Sequence, residues 1–359
     1  MDERGAMARA LTLALRGWGR VHPNPLVGAV LLRDGEIVGE GAHLEFGGPH
    51  AEIHALQSAG DARDTTCVVT LEPCAHHGKT PPCADALVAA GVRRVVYATA
   101  DPTHAGGGAH RLRQAGIVAE RGPLGQTAAT LNAPFFWHVQ PRSRPWVALK
   151  LATSLDGFVA DTGGRSRWVS GSVAREYVHW LRAGFDAIGV GRGTVDADDP
   201  QLTVRGSVQP RRPPRRVVFS RSGALGGDRT VTRTARDVPT TLTVRPEAAS
   251  EVARRLRGFG IEVLPAGDAE AALGALTRTG VRTLLVEGGA GLAGSLLAAD
   301  LVDRVYWIQA PLWLGDGLPG FRGVPTPLES AHRWTVVERR ALGDDTLLVI
   351  DRRACSPGS

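Results

Sequence analysis

The 359-residue sequence predicts an α/β protein made of two successive domains. Three observations carry that expectation. The length suffices for two hydrophobic cores. Strand-length apolar runs alternate with helix-length segments in both halves. A polar, proline-rich stretch, Gln140-Pro141-Arg142-Ser143-Arg144-Pro145, interrupts the pattern. It sets a first domain at 1–140, a linker at 141–145 and a second domain at 146–359.

In the first half, Met7–Leu15 reads as a helix ended near Gly17. His22-Pro23-Asn24-Pro25 cannot be helical, because its two prolines exclude it. Val27–Leu32 and Glu36–Gly41 flank Asp34-Gly35, a two-residue hairpin signal. Gly47-Gly48-Pro49 breaks the chain before a helix over His50–Ala59, ended by Gly60. Cys67–Leu71 is a buried strand. Cys83–Ala90 is a helix with Gly91 at its end, and Val92–Ala98 is the next strand. A helix closing at Leu112–Gly116 and a short strand at Ile117–Ala119 follow, and the domain ends near Trp137. A hairpin followed by alternating helix and strand gives three layers, α/β/α.

Composition bounds the function. The chain is 43% hydrophobic and 22% charged, with a formal net charge of +6 and a pI of about 9.7. The basic residues are nearly all arginine; only Lys79 and Lys150 are lysines. They are scattered apart from Arg211-Arg212 and Arg215-Arg216. A solvated surface with sites for small anions fits this better than a nucleic-acid track. Four cysteines make no disulfide framework. No apolar run approaches a membrane span. A soluble cytoplasmic protein with reduced thiols is expected, leaving Cys74 and Cys83 free for a metal. Cys67, in a strand, and Cys355, in a polar tail, read as inert.

The chemistry centres on Pro49-His50-Ala51-Glu52 and on Glu72-Pro73-Cys74 through Pro82-Cys83. One His and two Cys can hold Zn²⁺ with one position left open, and a nearby Glu that is not a ligand can move protons. That is the constellation of a zinc deaminase. His50 and Glu52 converge only if His50 stands at the helix entry. Cys83 opens a helix, where partial positive charge favours a thiolate. His54, His76 and His77 are competing ligands for a closed structural site. Such sites usually use closer ligand pairs.

In the second half Trp146–Leu151 is a strand, followed by Ser154-Leu155-Asp156-Gly157. Val173–Ala183 is a helix. Ala187–Val190 is a strand running into Gly191-Arg192-Gly193-Thr194, and Asp198–Arg205 is an ordered loop. Arg216–Phe219, Thr241–Val244 and Ile261–Leu264 are strands, with helices at Ala248–Arg257 and Ala269–Thr279. Strand Thr283–Glu287 leads through Gly288-Gly289-Ala290-Gly291 into helix Leu292–Ala299. Asp303–Ile308, Thr335–Val337 and Leu347–Ile350 finish the sheet. The glycine turn suits an anion at a helix N-terminus. It is not the Gly-x-Gly-x-x-Gly fingerprint, which argues against a Rossmann domain.

These stretches resemble the bifunctional riboflavin-biosynthesis deaminase/reductase family. In the first half the resemblance rests on His22-Pro23-Asn24-Pro25-Leu26-Val27-Gly28, Pro49-His50-Ala51-Glu52, Thr70-Leu71-Glu72-Pro73-Cys74 and His76-His77-Gly78-Lys79-Thr80-Pro81-Pro82-Cys83. The eight residues between Cys74 and Cys83 are its most specific mark. In the second half it rests on Leu149–Gly157, Ser166-Arg167-Trp168, Ala197-Asp198-Asp199-Pro200, Leu202-Thr203-Val204-Arg205 and Val286-Glu287-Gly288-Gly289. It implies a cytidine-deaminase-like domain followed by a dihydrofolate-reductase-like domain. Zinc is expected on His50, Cys74 and Cys83, with Glu52 as proton shuttle. NADPH contacts are expected at Ala152, Trp168, Thr194, Asp198, Ser220 and the turn Gly289, Ala290, Gly291, Leu292, Ala293, Gly294, Ser295. Substrate contacts are expected at Ser166, Arg182, Leu202, Arg205 and Glu287, and Lys150 is a further candidate. The substrate is then a phosphorylated pyrimidine, with neither nucleic acid nor membrane as partner; homo-oligomerisation is left open. The chain departs from the family at Asp101-Pro102-Thr103-His104-Ala105-Gly106-Gly107-Gly108, which is shortened and lacks an arginine.

Two rival readings are distinguishable. A deaminase of nucleic-acid bases requires aromatic and basic residues along a strand-binding groove; the first half has few aromatics beyond Phe135-Phe136-Trp137. A zinc-stabilised binding module requires no role for Glu52.

Overall fold

Asp34 and Gly35 close the first hairpin with both residues left-handed, at φ 50 and 80, the geometry that matches strand twist in a two-residue turn. This is a computed structural model, describing residues 1–77, 81–323, 329, 331 and 334–352. The run Gly78-Lys79-Thr80 and Cys355 lie outside the described residues. The chain divides into two compact units, one of residues 1–140 and one beginning at Pro141.

In the first unit, β1 (Gly28–Arg33) pairs antiparallel with β2 (Glu36–Ala42) and with β3 (Thr66–Val69). β4 (Arg94–Tyr97) and β5 (Val118–Arg121) continue in parallel, giving the order β2-β1-β3-β4-β5. Alternation along the strands sorts the core into two layers. Val30, Val68 and Val96 pack with Ala6, Met7, Ala10 and Leu13 of α1 (Glu3–Ala14). Ala29, Leu31, Cys67 and Val69 pack with α2 (Ala51–Ala59), α3 (Cys83–Ala89) and α4 (Gly108–Gln114). The first helix begins earlier than its apolar periodicity suggests, because the Asp2 carboxylate caps it by accepting from Gly5 N at 2.7 Å. Two short helices close the unit, α5 (Gly125–Leu131) and α6 (Ala133–Trp137). They join at Asn132, which is buried and holds Leu26 through both its amide atoms.

The second unit carries a nine-stranded sheet. Its strands in chain order are β6 (Trp146–Thr153), β8 (Ala187–Gly191), β9 (Arg215–Phe219), β10 (Thr240–Val244), β11 (Glu262–Pro265), β12 (Thr283–Glu287), β13 (Arg304–Gln309), β15 (Thr335–Leu342) and β16 (Asp345–Asp351). A separate pair is formed by β7 (Phe158–Ala160) and β14 (Leu318–Pro319). The sheet order is β11-β10-β9-β8-β12-β6-β13-β16-β15, parallel through β13 and antiparallel at the last two. The chain steps outward from β8 to β11 and then returns to insert β12 between β8 and β6. Parallel strands of that kind bind ligands beyond their carboxyl ends where the direction of progress reverses. The helices are α7 (Ser172–Ala183), α8 (Arg192–Asp198), α9 (Thr230–Arg233), α10 (Pro246–Leu256), α11 (Ala269–Arg278) and α12 (Ala290–Ala298). The run Gly191-Arg192-Gly193-Thr194 that follows the expected strand opens helix α8 at Arg192. Among the described residues, no helix is long and apolar enough to cross a membrane.

Candidate active sites

His50 is the N-cap of α2, with extended backbone at φ −75 and ψ 167. It therefore stands off the helix and turns toward the side on which Glu52, in the first turn, also lies. Cys83 is the first residue of α3. Cys74 follows β3, and its sulfur accepts from Cys83 N at 3.2 Å. His50 Nδ1 lies 3.2 Å from Cys83 Sγ and 3.6 Å from Cys74 Sγ. The three donor atoms all fall within 4.8 Å of one another. One imidazole nitrogen and two thiol sulfurs at this spacing suit Zn²⁺. Neither His54, His76 nor His77 joins the cluster found among the described residues.

The three side chains perturb one another's protonation. Hydrogen bonding from the Cys83 thiol, aided by His50, pulls Cys74 down to about 4. The Cys74 sulfur and burial push Cys83 well up. Glu52 is 3% exposed, and burial raises its carboxyl above the usual range against the opposing pull of His50. It contacts the Cys83 thiol.

Two glycines bring α2 onto the hairpin. A Cβ on Gly41 would stand 2.1 Å from Ala51 O, and one on Gly39 would stand 2.4 Å from Ala55 O. The helix backbone thus rests directly on β2. Gly41→Ala is expected to cost about 1–3 kcal/mol through overpacking and to weaken zinc retention by moving His50. Thermal unfolding and zinc content, measured on one preparation, check both effects.

In the second unit, charged groups gather at the carboxyl end of β12. Arg182, from α7, makes a two-pronged ion pair with Glu287, Nε to Oε1 at 2.5 Å and Nη2 to Oε2 at 2.8 Å. The side chains are 12% and 9% exposed. Register sets Lys150 of β6 beside Glu287. Burial lowers the Lys150 ammonium, partly offset by Glu287. Burial works to raise Glu287, but Arg182 and then Lys150 outweigh it, and the net shift is downward. Arg182 Nη1 also donates to Thr203 O at 2.9 Å, and Arg205 N donates to His179 Nδ1 at 3.2 Å. These two bonds tie one end of the 198–205 loop to α7. Within that loop Asp199 and Leu202 are left-handed, at φ 41 and 52. For leucine this costs on the order of 1–3 kcal/mol.

Beyond Glu287 the chain turns at Gly288 and Gly289, φ 72 and 84, into α12. A Cβ on Gly289 would stand 3.1 Å from Thr194 Oγ1, so the turn packs against the start of α8. The unpaired N–H groups of the first helical turn lie here, where an anion is well held. Trp168 presents its ring to solvent at 68% exposure, with the Arg175 guanidinium 4.6 Å from its centroid. A glycine turn without side chains and an open aromatic face, at the carboxyl ends of parallel strands, fit a nicotinamide dinucleotide.

Residues 1–99 match the model of the cytidine and deoxycytidylate deaminase zinc-binding region, and residues 145–348 match the RibD C-terminal domain. The riboflavin biosynthesis protein RibD of Escherichia coli K12 is 41% identical, covering 97% of this chain and 99% of that protein. The Aquifex aeolicus RibD is 38% identical, covering 98% of each. The chain belongs to the RibD family. A Thermotoga maritima diaminohydroxyphosphoribosylaminopyrimidine deaminase/5-amino-6-(5-phosphoribosylamino)uracil reductase superposes with a TM-score of 0.80 at 35% identity, covering 97% of this chain and 98% of that one. Acinetobacter baumannii RibD gives 0.79 at 34%. The fold is accordingly a cytidine-deaminase-like domain followed by a dihydrofolate-reductase-like RibD reductase domain. The protein is a bifunctional enzyme of riboflavin biosynthesis, a zinc deaminase and an NADPH-dependent reductase.

Within this chain the residues expected at the reductase site fall into groups. Ser166 and Asp198 meet: Ser166 Oγ donates to Asp198 Oδ1 at 3.4 Å, and Arg167 Nη2 donates to Asp198 O at 2.5 Å, while the Trp168 ring lies by the guanidinium groups of Arg167 and Arg175. Thr194 meets the Gly289 turn. Ala152 is half-buried on β6, opposite Ile308. Ser220, at the end of β9, is buried and accepts from Gly223 N at 3.0 Å. The expected contacts Gly289 to Ser295 span the turn and the first residues of α12. Ala293 N already donates to Gly289 O, Gly294 packs on the Arg322 carbonyl, and Ser295 bonds back to Gly291 O.

Two residues beside the metal centre were given no role from sequence. The Asn24 amide faces His43 Nε2 at 3.1 Å, and His43 Nδ1 donates to Pro49 O at 3.0 Å. Both contacts suit a neutral imidazole, and burial lowers the His43 pKa accordingly. The His43 ring meets that of His50 edge to face at 5.3 Å. A polar Asn24 locked between two prolines was the available signal.

Proposed function

We propose that the first unit hydrolytically deaminates 2,5-diamino-6-(5-phosphoribosylamino)pyrimidin-4-one, and that the second reduces the ribosyl group of 5-amino-6-(5-phosphoribosylamino)uracil to ribityl. Residues 1–140 then carry the deaminase, 141–145 the linker and 146 onward the reductase. The observation that carries this reading is the convergence of His50, Cys74 and Cys83 beside buried Glu52.

Bound zinc supplies a nucleophilic water at neutral pH. Glu52 takes a proton at its carboxylate and returns it to the departing amine. Its burial excludes bulk water from that transfer. His43 and Asn24 hold the segment before α2 through Pro49 O and so orient His50. NADPH, when bound, supplies the hydride. In the reductase unit, exposed Arg205 suits the substrate phosphate through charge-assisted bonds. Arg182 is committed to Glu287, so its task is to aim that carboxylate and the Lys150 amine toward the sugar. The free thiols of the metal centre suit the reducing cytoplasm, where we place the enzyme.

The test supplies the diaminopyrimidine phosphate with and without NADPH. Ammonia is expected in both cases, and NADPH consumption only after ammonia release. NADPH consumption without ammonia release would reverse the order. Cys83→Ala is expected to lower both zinc content and ammonia release while reduction of the deaminated compound continues. An unchanged zinc content would remove Cys83 from the ligand set.

A further inference from the structure

Arg216, on β9, is 1% exposed, and no carboxylate accepts a hydrogen bond from it among the contacts described. Its guanidinium instead fills a nest of oxygens. Nε donates to Thr240 Oγ1 at 3.0 Å. Nη1 donates to Thr234 Oγ1 at 2.7 Å and to Gln201 O at 3.3 Å. Nη2 donates to the carbonyls of Val231, Thr234 and Val238 at 3.2, 2.9 and 3.0 Å. Burying a full charge this way is costly unless every donor is satisfied. Five of those acceptors belong to residues 231–240; the sixth, Gln201 O, belongs to the 198–205 loop. Asp199 joins the same two segments from the other side. Its Oδ1 accepts from Thr230 N and its Oδ2 from Thr230 Oγ1, both at 2.7 Å.

The loop so held is the one with left-handed Asp199 and Leu202. A non-glycine residue stays in that region only where its surroundings over-determine it. Here those surroundings are α7 at one end, through Thr203 O and Arg205 N, and the 230–238 segment at the other.

We propose that Asp199 and Arg216 are positioning residues of the reductase, locking the 198–205 loop onto the Thr230–Val238 segment so that its cofactor end (Asp198) and its substrate end (Arg205, beside the buried Leu202) are held in one rigid piece. The proposal rests on the reading that this loop carries contacts to both ligands. It goes further in making one conformational equilibrium serve both. If the locked loop is populated to a fraction f, each ligand's apparent Kd is its intrinsic value divided by f. Unlocking must then weaken NADPH and the pyrimidine phosphate by the same factor. The first ligand to bind re-forms the loop, so the second recovers its affinity.

The experiment uses the full chain with Asp199→Ala, Asp199→Asn and Arg205→Ala. Binary Kd values for NADPH and for the pyrimidine phosphate are measured by titration calorimetry, each with and without the other ligand. Ammonia release by the deaminase serves as a folding control. Asp199→Ala is expected to raise both binary Kd values equally, by about tenfold, and to create cooperativity between the ligands that the parent lacks. Asp199→Asn keeps an acceptor for Thr230 N and recovers most of the loss. Weakening of one ligand alone, or unchanged Kd values with only a lower melting temperature, would overturn the positioning role. Arg205→Ala separates the two claims. If it leaves pyrimidine-phosphate binding intact, the loop is not a substrate element and the underlying reading fails. If it weakens that binding while Asp199→Ala does not, the reading stands and the lock is refuted.

Discussion

Glu52→Gln is expected to lower ammonia release by about 10²–10⁴, the usual worth of a positioned general acid–base group, with zinc content and NADPH-dependent reduction unchanged. The amide matches the carboxyl in shape, so the packing around this 3% exposed side chain survives. It cannot take up or return a proton. The ligands His50, Cys74 and Cys83 are untouched, so the metal stays. The bifunctional chain provides its own control, because reduction of the deaminated compound reports on the other unit. Parallel loss of zinc would make Glu52 a structural support, and undiminished ammonia release would remove Glu52 from the proton transfer.

Glu287→Gln is expected to destabilise the reductase unit by about 3–5 kcal/mol, the cost of stranding a buried cation by removing its partner, and to abolish reduction while deamination persists. Two cations are stranded here, Arg182 and Lys150. The double variant Arg182→Met/Glu287→Leu should regain part of the stability, since an apolar pair of similar size removes the Arg182 charge, while Lys150, whose ammonium burial already disfavours, still lacks its carboxylate. It should not regain reduction. Urea unfolding of the three proteins measures the first effect and NADPH oxidation the second; recovery of both together would make the pair purely structural. The pair also sets a pH dependence. Because the Glu287 carboxyl titrates below its unfolded value, its contribution is complete above the ordinary carboxylate range. It is lost as pH falls through the depressed value. Glu287→Gln should therefore flatten the acid limb of the reductase unit's stability profile.

The convergence of His50, Cys74 and Cys83 was legible in sequence because its geometry is built from short-range signals. Pro49 and the two preceding glycines put His50 at a helix entry, and Pro81-Pro82 did the same for Cys83. The hairpin at Asp34-Gly35 was legible for the same reason. The reductase site was less so. Arg182 and Glu287 meet across 105 residues, which no local pattern records. Helix α8 begins after Gly191, contains Gly193 and carries four further low-propensity residues, Thr194, Val195, Asp196 and Asp198; its docking against the Gly289 turn supports it as a helix. Arg216 was read with Arg211, Arg212 and Arg215 as a solvated cluster. Arg216 is instead wholly enclosed, and Arg215 pairs with Glu262 at 2.6 Å. Composition cannot tell an enclosed arginine from an exposed one, because what encloses it is a set of backbone carbonyls and threonine hydroxyls.

The bare contact between Gly41 and the α2 backbone has a consequence for how this chain tolerates change. Side chains that pack against one another can trade volume and rotamer, so most cores drift in sequence with small shifts in their helices. A main-chain atom resting on a glycine has nothing to trade. The height of α2 above the sheet, and with it the place of His50, is therefore set by peptide geometry. Apolar exchanges at Leu31, Val69 or Leu87 should lower the melting temperature while leaving zinc affinity close to the parent value. The deaminase half thus separates an evolvable interior from an inherited address for its metal.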